Sequence, residues 1–282
     1  MSAAGPSQGA RPLLREGVRV VRAAGEPGGG SPTAAAEAFL EVKDVRKHYG
    51  AIKAVDGVSF SLKPGEIVGV IGPNGSGKTT LFNAILGQIK PTSGQVEFCD
   101  EDITGMSPLA LSRRGVGRTF QTLQVFGQLS VRDNLIVAAQ EFKGSLPGRL
   151  MAPPDAGLGH HADQMIEMFR LKHVANLPAG TLSYGQQKLI DIAMAFMPTP
   201  RLVLLDEPCA GVNPSLVDQL RELLVQLNKT QGGSFVVIEH NMDFIMKLCP
   251  HVICMVEGKV LSEGPPSEVQ SNRAVLEAYL GN

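Results

Sequence analysis

Cysteine is scarce in this chain of 282 residues, and none of it is paired in sequence. Cys99, Cys209, Cys249 and Cys254 form no C-x-x-C pair and no small secreted framework, so they read as reduced, mostly buried thiols of a reducing compartment. Long apolar runs are missing too. None approaches the roughly 18–20 residues that cross a bilayer, so any membrane role has to pass through a partner. Net charge is also lacking: 26 Lys and Arg against 27 Asp and Glu leave −1, and a pI of about 6.6 argues against a strongly basic nucleic-acid-binding surface. What the chain does have is 43% hydrophobic and 19% charged residues, enough to bury a core in one large domain or two small ones.

Residues 1–36 are poor in acidic and large apolar side chains. Eight Ala, seven Gly and four Pro dominate them, and Arg11, Arg15, Arg19 and Arg22 carry most of the charge. Such a segment cannot offset its ordering entropy and reads as a disordered extension. Its basic start is compatible with a targeting segment, but no signal-peptide apolar core follows. No internal repeat is visible.

From Phe39 the pattern changes. Residues 39–45 and 58–62 alternate apolar and polar, which predicts half-buried antiparallel strands. Residues 67–71, 202–205 and 235–238 are continuous apolar runs, as strands covered on both faces require. Between the last two, Leu216, Leu220, Leu223, Leu224 and Leu227 recur at helical spacing. Strand, helix, strand in this order predicts a βαβ unit and a parallel sheet. Residues ~130–185 read as mostly helical, with an irregular loop at Pro147, Pro153 and Pro154. The expected class is therefore α/β, with an antiparallel β portion and an inserted α-helical subdomain at roughly 130–190.

Gly72-Pro73-Asn74-Gly75-Ser76-Gly77-Lys78-Thr79 fits G-x-x-x-x-G-K-[ST]. An apolar strand precedes it and a helix-forming run from Thr80 to Leu86 follows, as the mechanism of a P-loop demands. Its glycines let backbone N–H groups curl around phosphate oxygens at the positive end of a helix. Lys78 would reach the β and γ phosphates, and the Thr79 hydroxyl would ligate Mg²⁺. A second apolar strand ends in Asp206-Glu207-Pro208. Two acids in that position can simply cap a turn. Beside a P-loop they gain a purpose: Asp206 to hold Mg²⁺ directly or through water, and Glu207 to polarise an attacking water.

These motifs resemble those of the ATP-binding cassette (ABC) ATPases. Leu182-Ser183-Tyr184-Gly185-Gln186-Gln187 is similar to that family's LSGGQ signature and departs from it at Tyr184, where Gly is usual. The resemblance covers residues ~38–282 and implies a P-loop NTPase core that binds ATP and Mg²⁺. It implies that Tyr49 stacks on adenine and that residues Gly72 to Thr80 surround the phosphates. It also implies a metal set of Thr79, Asp206 and Gln121, and a catalytic set of Glu207, His240, Lys78 and Gln121. Gln121, in Arg118-Thr119-Phe120-Gln121, matches the Q-loop glutamine that joins two subdomains, and His240 the switch histidine at the γ-phosphate. Ser183, Gly185 and Gln186 would face ATP held by the opposite subunit of a head-to-tail dimer.

Finer detail is similar to the ATPases of high-affinity branched-chain amino acid importers. The residues are Val116 to Gln121, Ala210-Gly211-Val212-Asn213-Pro214, Glu239-His240-Asn241-Met242 and Glu277-Ala278-Tyr279-Leu280-Gly281. This implies an ATPase subunit, peripheral on the cytoplasmic face of the plasma membrane, that drives import through separate permease subunits. A second ATPase subunit and, indirectly, an extracytoplasmic solute-binding protein would be its partners, and nucleic acid would not. ATPases of lipid, lipopolysaccharide or amide transport share some of these features. Soluble cassettes of DNA repair or translation fit less well, since they usually carry two cassettes or a long coiled coil. A GTPase is not supported, because Asn228-Lys229-Thr230-Gln231 fails N-K-x-D. Asn213 stands where many cassettes have Asp.

Smaller signals complete the reading. His160-His161 is expected in a solvated loop, without the further ligands a metal needs. Glu257-Gly258 reads as a hairpin turn and Ser267-Glu268-Val269-Gln270 as a capping box. The uncharged stretch from Thr122 to Leu129, with Leu123, Val125, Phe126 and Leu129, reads either as packing or as a permease-docking surface.

Overall fold

The alternation that starts at Phe39 is the imprint of an antiparallel sheet. Strand β1 (Leu40–Tyr49) pairs along one edge with β2 (Ile52–Leu62) and along the other with β4 (Ser93–Phe98), which carries the two-residue β5 (Glu101–Asp102). The order is β2-β1-β4-β5. The computed structural model describes residues 39–119, 122–139 and 156–280, all within one unit, 38–282. The extension read at 1–36, Gln121 and the proline-rich loop lie outside the described residues.

The continuous apolar runs form the second sheet. Strand β3 (Ile67–Ile71) sits between β8 (Ser234–Ile238) and β9 (His251–Val256). Beyond β8 come β7 (Leu202–Asp206) and β6 (Val116–Arg118), and beyond β9 comes β10 (Lys259–Gly264). All neighbours are parallel except the β9–β10 hairpin. Every residue of β3, β7 and β8 is buried. Their side chains divide between two cores by strict alternation. Val68, Val70, Leu202, Leu204, Val236 and Ile238 face the antiparallel sheet and helix α1 (Lys78–Ile85). Ile67, Ile71, Val203, Leu205, Phe235 and Val237 face the other core, built with the remaining helices.

That second core explains the leucine periodicity. Leu220, Leu223, Leu224 and Leu227 lie on the buried stripe of a long helix at Pro214–Gln231. In chain order the helices of the described residues after α1 are α2 (Pro108–Arg113), α3 (Val131–Ala139), α4 (Ala156–Met168), α5 (Tyr184–Phe196), α6 (Pro214–Gln231), α7 (Met242–Leu248), α8 (Pro266–Ser271) and α9 (Arg273–Leu280). Helix α3 packs on both α4 and α5. The turn at Glu257-Gly258 closes the β9–β10 hairpin with two residues of positive φ, 48° and 77°, the geometry that matches strand twist.

Two local expectations are corrected. His160-His161 lies on helix α4 and not in a loop; His160 pairs with Gln164 one turn on, at 3.1 Å. Among the described residues no cluster of three or more His, Cys, Asp and Glu gathers to hold a metal. Ser267 is not a cap either. Helix α8 starts earlier, at Pro266, whose fixed φ and missing N–H suit the first helical position, and Pro265 precedes it with no side-chain cap. A capping box does form at Ser183 and Gln186, where helix α5 begins.

The two faces of the parallel sheet set a stability prediction. Phe235 is fully buried, and its ring meets Phe196 of α5 edge-on at 5.5 Å. Phe235→Ala should cost about 3–5 kcal/mol, read from the midpoint of urea unfolding. A loss under about 1 kcal/mol would mean that α5 is not held to the sheet through this pair.

Candidate active site

Because β6, β7, β8 and β3 run parallel, the segments that leave their carboxyl ends emerge on one edge of the sheet. That edge is where ligands bind in open α/β sheets. The loop after β3 carries the phosphate motif into α1. Gly77, at φ +99°, is the cap residue of α1 and makes no side-chain cap, so no side chain occupies the helix's first N–H groups. A Cβ on Gly77 would strike Ala54 O at 2.1 Å, and one on Gly72, at φ +148°, would strike Met255 O at 2.1 Å. Pro73, Asn74, Gly75 and Ser76 form the turn between them. Lys78 is 5% exposed, and its ammonium donates to Gly72 O at 2.8 Å, Pro73 O at 2.9 Å and Ser76 Oγ at 3.3 Å. Burial pulls its pKa down, opposed by the charges of Glu207, Cys254 and Asp206. Thr79 is exposed and Thr80 half-buried at the head of α1.

Asp206 ends β7 with 6% exposure. Its Oδ1 is buried and has no hydrogen-bond partner. Burial raises its pKa, Glu207 raises it further, and Arg118, Lys188 and Lys78 oppose the shift. An orphaned carboxylate oxygen beside a phosphate loop fits a hard divalent cation, whose remaining oxygens would come from phosphate and water. Glu207 has φ +48°, an uncommon conformation for a non-glycine residue, and its N–H donates to Ile238 O at 2.9 Å. This turn brings Glu207 Oε1 to 2.7 Å from His240 Nε2, which follows β8. A cleft of about 380 Å³ opens beside the pair, lined in part by Cys209, Pro214, Glu239 and Asp243.

Sequence reasoning assigned no role to the residues that hold this pair in place. Glu239, 3% exposed, accepts the Cys209 N–H at 2.6 Å on one oxygen and the N–H groups of His240 and Asn241 at 2.9 and 3.1 Å on the other. One buried carboxylate thus ties the loop after β7 to the loop after β8. Thr119 Oγ1 accepts the Asp206 N–H at 3.1 Å. On α5, Lys188 and Asp191 are 1% and 4% exposed. Asp191 Oδ1 accepts the Gln124 N–H at 3.0 Å, and burial raises its pKa against the pull of Lys188. At spacing i, i+3 that pair reads in sequence as an ordinary surface ion pair.

The remaining predicted residues are more dispersed. Tyr49 ends β1, half exposed, with Lys47 Nζ 5.0 Å from its ring centre. Ser183 caps α5, and its backbone N–H donates to Gln186 Oε1 at 3.1 Å. Gly185 faces Leu216 of α6, where a Cβ would come within 2.5 Å. Tyr184, the departure from the signature, lies over Gly211, so the heads of α5 and α6 touch within one chain. Asn213 caps α6, accepting the Leu216 N–H at 2.9 Å. Gln121 falls outside the described residues.

Comparison with known proteins identifies the family of this fold. A family model described as ABC transporter matches residues 55–210, and one described as Branched-chain amino acid ATP-binding cassette transporter matches residues 259–282. The high-affinity branched-chain amino acid transport ATP-binding protein BraF of Pseudomonas aeruginosa is 36% identical over 249 residues, covering 86% of this chain and 98% of that protein. An ATP-binding cassette of an ABC transporter solved in its ADP conformation is 35% identical, with a TM-score of 0.79 over 87% of this chain and 100% of that one. A dimeric cassette in a post-hydrolysis state, bound to ADP and Pi, is 26% identical, with a TM-score of 0.67 over 80% of this chain and 98% of that one.

Glu239 offers a test of how the site is held. In Glu239→Gln an amide NH₂ replaces one oxygen and confronts a backbone N–H. The variant should lose about 2–3 kcal/mol of stability by thermal melting, because buried donors are left unpaired. Its catalytic rate should fall as well, with His240 no longer fixed. Wild-type melting and rate would show that these loops hold their positions without the carboxylate.

Proposed function

The chain belongs to the ABC transporter ATP-binding cassettes, and from that premise we propose that it powers the import of branched-chain amino acids through separate permease subunits. It is an ATP-binding, ATP-hydrolysing subunit, and among its described residues no helix is long and apolar enough to cross a membrane. The observation that carries the reading is the meeting of Glu207 and His240 at 2.7 Å on the sheet edge that also bears Lys78 and Asp206. The amino-acid assignment rests on the C-terminal family match at residues 259–282 and on the likeness to BraF.

The chemistry follows from the residues. Backbone N–H groups of the loop from Gly72 to Thr80 cradle the phosphates. Lys78 exchanges its loop carbonyls for phosphate oxygens, a better partner for a buried cation. Thr79 and Asp206 would hold Mg²⁺, which when bound would neutralise charge on the phosphates; the expected third ligand, Gln121, lies outside the described residues. Glu207 orients a water and draws its proton as the water oxygen attacks the γ-phosphorus. The bond to the bridging oxygen breaks, giving ADP and phosphate. His240 steers Glu207 and can donate to the γ-phosphate. Tyr49 stacks on the base. Ser183, Gly185 and Gln186 serve a second subunit's ATP, in keeping with the dimeric ADP-and-Pi cassette as a neighbour.

Transport requires a grip on the permease at the cytoplasmic face of the membrane. Phe126 is the best candidate contact. It is half exposed, yet its backbone is pinned, with its N–H donating to Asn134 Oδ1 at 2.8 Å and its C=O accepting from Asn134 Nδ2 at 3.1 Å.

Glu207→Gln should bind ATP within about threefold of wild type while turnover falls about 10²-fold or more, and it should accumulate as an ATP-bound dimer on size exclusion. Lys78→Ala should instead lose ATP binding by calorimetry. Wild-type turnover in the first variant, or wild-type affinity in the second, would overturn the assignments. Phe126→Asp should keep ATPase activity and abolish membrane association and leucine uptake, because a buried charge would face an apolar partner. Retained uptake would place the grip elsewhere.

A further inference from the structure

Tyr49 is half exposed, and an exposed ring at a strand end has more than one rotamer open to it. Its neighbour is Lys47, whose ammonium stands over the ring at 5.0 Å from the centre. Within that distance a cation is drawn to the electron-rich face of an aromatic ring. The ammonium is itself anchored, because it donates to the carbonyl of Lys90 at 2.9 Å. Lys90 belongs to the segment 86–92 that joins α1 to β4. Two further bonds tie this segment to the same strand end. The Thr92 N–H donates to Arg46 O at 2.7 Å, and Thr92 Oγ1 accepts the His48 N–H at 3.0 Å. A cation fixed on a carbonyl thus covers one face of Tyr49, and the exposed half of the side chain is what remains for a ligand.

Where this ring stands relative to the phosphate loop follows from the hairpin that carries it. Tyr49 pairs with Ile52 across the turn into β2. Two residues on, Ala54 lies against the loop, since a Cβ on Gly77 would come within 2.1 Å of Ala54 O. Helix α1 opens at Lys78, and its far end runs into the segment that anchors Lys47. The two elements that fix Tyr49 are therefore one that packs on the phosphate loop and one that continues from it.

We propose that Lys47 is a positioning residue for the base: it holds the ring of Tyr49 in one orientation, so that the purine of ATP meets a platform already formed. A ring fixed before binding loses less freedom when a base stacks on it, and the gain appears as affinity. The effect is confined to ligands that carry a base, because the phosphates are held by the loop from Gly72 to Thr80. The proposal rests on the reading of Tyr49 as the surface on which the base stacks.

The test uses the full chain with Lys47→Met, which keeps an apolar stem and removes the charge. Its Kd for ATP, by calorimetry with Mg²⁺, should rise about two- to fivefold, the effect of one cation over an exposed ring, while kcat stays within about twofold. Magnesium tripolyphosphate, which has no base, should bind Lys47→Met as it binds the wild type. Lys47→Arg, whose guanidinium also stacks on aromatic faces, should restore ATP affinity. In a Tyr49→Ala background Lys47→Met should cause no further loss. A lysine that only braces the segment 86–92 would instead weaken ATP and tripolyphosphate alike, and would keep its effect without Tyr49. An unchanged Kd for ATP, or an equal loss for tripolyphosphate, overturns the proposal. Tyr49→Ala separates the two layers: if it loses ATP affinity while Lys47→Met binds normally, the positioning role alone is wrong. If Tyr49→Ala binds ATP like wild type, the base-stacking reading fails and the positioning role falls with it.

Discussion

Parallel pairing of β3, β8, β7 and β6 is the constraint on which the rest of the molecule depends. Both faces of β3, β7 and β8 are covered, so their ladder hydrogen bonds and apolar side chains form without water, and charged groups are pushed to the strand ends. Parallel direction then delivers four connecting segments to a single edge. The phosphate loop, the Asp206-Glu207 pair and His240 all follow from that placement, although 33 residues separate Glu207 from His240 in sequence.

Gathering charge at such an edge is costly, and the packing around it is organised by that cost. Lys78 is nearly buried and meets two carbonyls and a hydroxyl of its own loop. Glu239 accepts three backbone N–H groups, which makes it a rigid splice between two loops. Asp206, Lys188 and Asp191 are met less fully. Each holds a buried polar atom with no hydrogen-bond partner. A buried group left in that condition is expensive, and it is tolerable only where a ligand or a change of state can relieve it.

The two helices that open near the site are linked before any second subunit is considered. Tyr184 rests on Gly211, and Gly185 admits Leu216, so the signature segment and the loop leading to α6 form one surface. A glycine at 184 would lack that contact. The segment from Gln124 to Phe126 is tied to α5 through Asp191 and to α3 through Asn134, which connects the exposed Phe126 to the same body. The turn of the β9–β10 hairpin is tied to the phosphate loop, its Gly258 N–H donating to Ser76 O at 3.0 Å.

The sequence by itself determined the strand types, because alternation and continuous apolar runs record how many faces of a strand are buried. It determined the phosphate loop as well, since Gly72 to Thr79 act through local backbone geometry that no distant residue has to supply. The stripe of leucines from Leu216 to Leu227 belongs here too. Other signals were local but ambiguous: Ser267 looked like a cap, yet Pro266 one residue earlier starts the helix, and His160-His161 looked like loop because glycines and prolines precede it. Only the tertiary structure decided which buried polar groups meet. Glu239, Thr119 and Asp191 each look ordinary along the chain, and their partners lie on other strands or loops. Pattern and propensity record how each segment is buried. What a carboxylate or a phenol touches is set by where separate segments cross, and that crossing exists only once the sheet has formed.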